Sequence, residues 1–226
     1  TWTVCSPIRQ SAVTRIFAFE PDPRSFKLLD MNIDHNDYND KVVRYPEALG
    51  ETPGEGTIHL AAKPNLSSFC GVKGKGKVVP MRSIDSYFED KSIRPNFLKM
   101  DIEGFEVEVL RGGLKTLADT PNCRILLETH QMYYGPDRDF EAVLRKLIEI
   151  GFGFKYLVSA GLAEPQAFKE KGYEPWKRFD DFGRSIYAGM EIDQEDAIRF
   201  SSQVIKEKRP NGRMTPKVVR SILLQK

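Results

Sequence analysis

The chain has 226 residues, 40% of them hydrophobic and 29% charged, which is enough for one sizeable hydrophobic core. Its 34 basic and 32 acidic residues leave a formal net charge of +2, so no overall electrostatic field selects nucleic acid or an anionic membrane. The three cysteines form no CxxC pair and no apolar run approaches about 18 residues, so neither a disulfide framework, a zinc site nor a membrane span is indicated.

The first predicted unit is a strand, a turn and a helix. Residues 15–20, RIFAFE, are apolar, aromatic and β-branched, which is typical of a buried strand. Two prolines then force an extended turn. Phe26, Leu29 and Ile33 mark the apolar face of a helix over residues 21–34.

The middle of the chain alternates in the same way. Strands are predicted at residues 41–49, 56–61 and 77–81, and Ser83 is the predicted N-cap of a short helix. A further strand ends at Met100 and leads into one amphipathic helix. The apolar positions of that helix are Val107, Leu110, Leu114 and Leu117.

The later elements are a strand over residues 123–130, a helix that ends at Gly151, and strands over 154–159 and 184–190. Repeated strand and helix alternation predicts an α/β fold with a doubly wound, mostly parallel sheet covered by helices. We therefore expect an α/β domain over residues 1–190.

The C-terminal residues 191–226 are predicted to form a helical appendage. Two helices are expected, over residues 193–208 and 216–226, and the segment RPNGR between them is a turn. Residues 206–226 hold seven basic residues and one acidic residue but lack the aromatic side chains that stack on bases, so we expect a solvated helical tail and not a nucleic-acid surface.

Glu20 closes the first predicted strand, directly before the turn that contains Pro21 and Asp22. In open α/β sheets ligands bind beyond the carboxyl ends of the strands, and a carboxylate there can accept both hydroxyls of a nucleotide ribose. The alternative is an acid placed at a helix N-terminus for its dipole alone.

Three more polar residues lie at the ends of predicted strands. Asp101 and Glu103 come directly after the strand over residues 96–100, and a spacing of two places both on one side if the strand continues. His130 ends the next buried strand, and histidine is the side chain best suited to accept a proton near neutral pH. Helix-dipole and purely structural roles stay open as alternatives, and we assign no metal to these residues, although the carboxylates suit magnesium.

The segments IFAFEPDPRSFKLLDMNI, FLKMDIEGFEVEVLRGG and LLETH together resemble the FkbM-type family of S-adenosylmethionine-dependent methyltransferases. The resemblance extends from residue 15 to about residue 190. It implies the Rossmann-like class I methyltransferase fold, with a seven-stranded sheet whose last strand is antiparallel, here RSIYAGM. It also implies S-adenosyl-L-methionine as cofactor and a sugar or natural-product hydroxyl as methyl acceptor.

The resemblance also assigns roles to residues. Asp101 lies at the junction of cofactor and acceptor in the family pattern, and Asp101, Glu103 and His130 are the catalytic candidates. The implied cofactor-binding residues are Glu20, Pro21, Asp22, Glu47, Ala48 and Asp101.

One departure from the family pattern concerns the glycine-containing loop D-x-G-A-N-x-G after the first strand. The first glycine of this chain is Gly50, and the 14 residues before RIFAFE are too few for a strand, that loop and a crossover helix. We therefore expect the N-terminal glycine-loop unit to be missing, through removal or through loss of cofactor binding.

Three functions remain open at this point. The first is an O-methyltransferase with a small-molecule or glycan acceptor, placed in the cytoplasm because the cysteine pattern fits a reducing compartment. The second is a non-catalytic binding or scaffold protein that keeps the fold. The third, a nicotinamide-dependent oxidoreductase, requires GxGxxG, which is absent from the sequence.

Overall fold

The computed structural model describes residues 15–70, 75–179, 183–209 and 211–226. The expectation of a missing glycine-loop unit concerns residues 1–14 and so lies outside the described residues. The chain divides into two compact units, the first ending at Asp119 and the second running from Thr120 to Lys226. Each unit is described by itself.

The first unit contains short strands and helices that largely follow the predicted order. Its strands are β1 Ile16–Phe19, β2 Val42–Tyr45, β3 Ala48–Leu49, β4 Gly54–Leu60, β5 Lys75–Arg82 and β6 Phe97–Met100. Its helices are α1 Pro23–His35, α2 Ile84–Phe88, α3 Glu106–Arg111 and α4 Leu114–Ala118.

Strand β1 pairs in parallel with β2 and buries its two faces differently. On one face, Ala18 packs with Leu29 and Ile33 of α1. On the other, Phe19 stacks on Tyr45 at a ring-centroid distance of 4.9 Å, and both rings meet Tyr87 of α2 edge to face. Both faces are therefore covered by helices, and the carboxyl end of β1 is held in place.

The predicted strand over residues 41–49 is wrong as one element. Pro46 separates β2 from β3, and the two join different sheets, since β3 pairs in parallel with β5. Strand β5 also pairs antiparallel with β4, from Gly54–Met81 to Leu60–Lys75. Ala48, Ile58 and Val79 form the buried cluster of this three-stranded sheet.

The single amphipathic helix predicted after β6 is two short helices. The helix is interrupted at Gly112 and Gly113. A Cβ on Gly112 would lie 2.2 Å from the Gly50 carbonyl oxygen. This close backbone approach requires glycine and ends α3. The predicted N-cap Ser83 is confirmed, because Ser83 and Ser86 form a capping box at the start of α2.

The second unit holds the remaining elements. Its strands are β7 Arg124–Glu128, β8 Gly153–Ser159, β9 Lys177–Phe179, β10 Arg184–Ala188, β11 Glu207–Lys208, β12 Met214–Thr215 and β13 Val219–Gln225. Its helices are α5 Phe140–Glu149, α6 Gln166–Lys169 and α7 Gln194–Ser202.

The predicted helix over residues 216–226 is wrong. Residues 219–225 form β13, which lies between β7 and β8 and is antiparallel to both. Within it Val219, Ile222 and Leu224 are almost fully buried. The C-terminal segment is thus part of the sheet of the second unit and not a helical appendage, and β13, instead of RSIYAGM, is the last antiparallel strand.

The described strands show an α/β fold with mixed sheets. Strand β10, formed by residues of RSIYAGM, is antiparallel to β8 and to β9. Within each unit, the strands described do not confirm a mostly parallel, doubly wound sheet. None of the described helices is long and apolar enough to cross a membrane.

The place of β13 in the sheet yields a stability prediction. Because Ile222 has no exposed surface, Ile222→Ala removes buried methyl groups and leaves a cavity, so the free energy of unfolding should fall by about 2–5 kcal/mol. Met190→Ala, at a side chain that is 90% exposed, is the matched control and should change it by less than about 0.5 kcal/mol. Urea unfolding measures both, and equal midpoints would contradict the buried strand.

Candidate functional site

Glu20 follows β1 and is buried, with 3% of its surface exposed. Its Oε1 accepts a hydrogen bond of 2.8 Å from the backbone N–H of Asp22. Burial raises the pKa of the Glu20 carboxyl above its usual value, because it disfavours the charged form.

Asp22 is the N-cap of α1 and is 1% exposed. Its Oδ1 accepts bonds from the backbone N–H and Nε of Arg24, and its Oδ2 accepts bonds of 2.7 Å from Arg24 Nη2 and from Ser67 Oγ. These four bonds use the acceptor capacity of one carboxylate. Despite burial, they hold the pKa of Asp22 at about 2, so the group stays ionised.

Residues 101–105, which follow β6, are named here the carboxylate turn. Asp101 and Glu103 are both half-buried in it. Glu103 and Gly104 have φ angles of 54° and 101°, so two successive residues occupy the left-handed region. For a residue with a Cβ this conformation costs about 1–2 kcal/mol and persists where surrounding contacts impose it. The turn directs the chain from β6 into α3.

Residues Ser67–Cys70, named here the serine segment, contact the carboxylate turn. Ser68 Oγ donates a bond of 2.6 Å to the Glu103 carbonyl oxygen, and Cys70 Sγ lies 3.3 Å from that of Gly104. The rings of Phe69 and Phe105 stack at 4.7 Å. The same segment reaches Asp22 through Ser67, so it touches the chain after β1 and the chain after β6.

Of the predicted adenine-side residues, Glu47 lies between β2 and β3, and Ala48 begins β3, which pairs with β5. Glu47 forms a bidentate ion pair with Arg82, and Ala48 is buried in the three-stranded sheet. Tyr45 stacks on Phe19, the residue that precedes Glu20. The hydroxyl of Tyr45 lies 2.8 Å from the hydroxyl of Tyr87. A flat aromatic pair therefore adjoins the Glu20 strand end.

His130 belongs to the second unit and is half-buried. Its backbone N–H donates to the hydroxyl of Tyr134 at 3.0 Å. On either side of it, Thr129 Oγ1 and Gln131 Nε2 each donate to the carbonyl oxygen of Val219 at 3.0 Å. Strand β13 thus fixes the segment that carries this histidine.

The second unit also contains an open pocket of about 320 Å³, lined by side chains between Gln131 and Glu141 and between Ser202 and Val204. Its wall combines aromatic rings with charged and amide side chains, since Tyr134 and Phe140 stack at 4.5 Å beside Arg138, Glu141 and Gln203.

The sequence predicted Glu20, Asp22, Asp101 and Glu103, and the structure places all four in the first unit, where the serine segment touches both strand ends. Their roles toward a ligand stay predictions. The sequence did not indicate Ser67 or Ser68, because serines in a loop carry no pattern that shows their partners 45 and 35 residues away.

Comparison with known families finds a match to the methyltransferase FkbM domain over residues 3–156. Among solved structures, the chain is similar to a methyltransferase FkbM from Methylobacillus flagellatus KT, with 14% sequence identity and a TM-score of 0.40. The similarity covers 94% of this chain and 36% of that protein, so the chain spans about a third of its length. No match was found among curated proteins.

The bonds to Asp22 yield a pH-dependent prediction. A pKa of about 2 against an ordinary value of 3.8 stabilises the folded protein by about 2 kcal/mol above pH 4, and this stabilisation is lost as the pH falls toward 2. Asp22→Asn should therefore lower the free energy of unfolding most at pH 7, and the gap to wild type should shrink by pH 3. Urea unfolding at both pH values measures this, with the exposed Asp40→Asn as control. A gap that is independent of pH would show that the charge is not the cause.

Proposed function

Because the chain belongs to the FkbM methyltransferase family, we propose that it is an S-adenosyl-L-methionine-dependent O-methyltransferase acting on a hydroxyl of a carbohydrate or another small polar metabolite. The observation that carries this proposal is the buried Glu20 at the carboxyl end of β1, inside the matched residues. In open α/β sheets this is where a nucleotide ribose is bound.

The chemistry of the residues at this strand end fits the cofactor. Glu20 would accept the two ribose hydroxyls. Burial disfavours the charged form of this carboxyl, and hydroxyl donors would stabilise it. Pro21 fixes the turn and Asp22 starts α1, which keeps the Glu20 backbone in place. Glu47 and Ala48 would lie near the adenine, and Asp101 near the reacting methyl group.

When bound, S-adenosyl-L-methionine supplies an electrophilic methyl group. An acceptor hydroxyl is a weak nucleophile until its proton is taken, so a base beside it is needed. His130 is the proposed base, with Asp101 as the alternative and Glu103 assisting the orientation of the acceptor. The near-neutral charge favours a small hydroxylated acceptor over nucleic acid.

Glu20→Gln tests the cofactor role. The amide cannot accept two hydroxyl donors as a charged carboxylate does, and one charged hydrogen bond contributes about 1.5–3 kcal/mol. The variant should therefore bind S-adenosyl-L-methionine at least about tenfold more weakly in calorimetry, whereas the exposed Glu55→Gln should bind it like wild type. Unchanged affinity in folded Glu20→Gln would remove this residue from the cofactor site.

His130→Ala and Asp101→Asn test the base. Loss of a general base should lower turnover by about 100-fold or more, and for His130→Ala the cofactor affinity should stay within about twofold of wild type. The assay is transfer of labelled methyl to panels of glycans, small metabolites, peptides and RNA.

Label found only in peptide or RNA would overturn the proposed acceptor class. If the product of the complete gene neither binds the cofactor nor transfers label, the chain is instead a non-catalytic protein with this fold.

A further inference from the structure

The serine segment contacts the two strand ends that the proposed function assigns to different tasks. One is the chain after β1, which carries the cofactor residues, and the other is the carboxylate turn after β6. All of these contacts lie within the first unit.

On the cofactor side the contact runs through the Ser67 hydroxyl. It donates to Asp22 Oδ2 at 2.7 Å and accepts bonds of 3.1 Å from Arg24 Nη2 and from the backbone N–H of Ala61. Asp22 in turn donates its backbone N–H to Glu20. Ser67 is therefore two hydrogen bonds away from the proposed ribose acceptor.

On the catalytic side the contact runs through Ser68, which is 1% exposed. Its hydroxyl donates to the Glu103 carbonyl oxygen and accepts a bond of 2.9 Å from the N–H of Cys70. The Cys70 thiol donates to the next carbonyl, that of Gly104. Both carbonyl oxygens of the left-handed pair are thus bonded by the serine segment.

These bonds account for the unusual backbone of the carboxylate turn. A left-handed glutamate persists only where neighbouring groups impose it. The Ser68 and Cys70 donors supply that constraint from one side, and Glu106 Oε1 supplies it from the other by accepting the Gly104 N–H at 3.2 Å. The direction in which the chain leaves Glu103 toward α3 is set by this backbone.

We propose that the serine segment couples the cofactor end of the site to the carboxylate turn, with Ser68 as a positioning residue for that turn. Its catalytic meaning rests on the proposed function, but the coupling itself is a property of the fold. In this coupling, a disturbance at Asp22 passes through the consecutive residues Ser67 and Ser68 to the Glu103 carbonyl. If the two contacts were independent, a change at Asp22 would leave the Glu103 carbonyl unaffected.

The first test needs no activity. Hydrogen exchange is measured at the backbone amides of residues 103–106 in wild type, Ser68→Ala, Ser67→Ala and the exposed control Ser92→Ala. Loss of one hydrogen bond should speed exchange there by about two- to tenfold in Ser68→Ala and, through the coupling, also in Ser67→Ala, with no change in Ser92→Ala.

Normal exchange of the turn in folded Ser67→Ala would overturn the coupling. If Ser67→Ala does not fold, Arg24→Gln takes its place, because it removes bonds to Asp22 and Ser67 from a side chain that is 40% exposed. Faster exchange of the turn in Arg24→Gln would support the coupling, and normal exchange in the folded variant would overturn it.

The second test separates positioning from general damage. In methyl transfer, Ser68→Ala should lower kcat about tenfold while KM for S-adenosyl-L-methionine stays within about twofold, and Ser68→Thr, which keeps the hydroxyl, should recover part of kcat. Equal losses in kcat for both Ser68 variants would overturn the positioning role. If the wild-type protein neither binds S-adenosyl-L-methionine nor transfers methyl, the proposed function is refuted. The coupling is then decided by hydrogen exchange alone.

Discussion

The first unit depends on one constraint, which is that the polar groups buried at its strand ends must find partners inside the protein. An unsatisfied buried polar group costs about 1–3 kcal/mol. The Asp22 carboxylate is satisfied by Arg24 and Ser67, and the carbonyl oxygens of the carboxylate turn are satisfied by Ser68 and Cys70. The loop after β4 therefore has to pass these strand ends, and its course follows from the bonds that it makes there.

Glu20 and Asp22 show how neighbouring carboxylates acquire different roles. Both are almost fully buried, yet burial raises the pKa of Glu20, whereas bonds from Arg24 and Ser67 lower that of Asp22. At Asp22 the bonds from Arg24 and Ser67 outweigh the effect of burial, whereas at Glu20 burial is the larger effect. Asp22 is thus a structural anion, and Glu20 is the carboxylate for which a ligand is proposed.

The sequence predicted the elements whose pattern is local and failed where tertiary structure overrides it. Helix α1 and the capping box at Ser83 follow from apolar spacing and cap chemistry. In the segment of β13, the buried residues Val219 and Ile222 are three positions apart, which is a helical and not a strand spacing. The register shift between Val219 and Ser221 explains this spacing, since a bulge adds one residue to the alternation of a strand. The contacts of Ser67 and Ser68 were not predictable, because they depend on how distant strands end.

Correcting β13 also changes how the proposed base is understood. As a helical appendage, the C-terminal segment would have had no bearing on His130. As a strand beside β7, it places the Val219 carbonyl between the side chains of Thr129 and Gln131, and Lys217 and Arg220 face the Glu128 carboxylate. The residues around His130 are therefore bonded to the last strand of the chain. A base needs a fixed position relative to the proton it accepts, and in the second unit that fixation comes from a segment about 90 residues further along the chain.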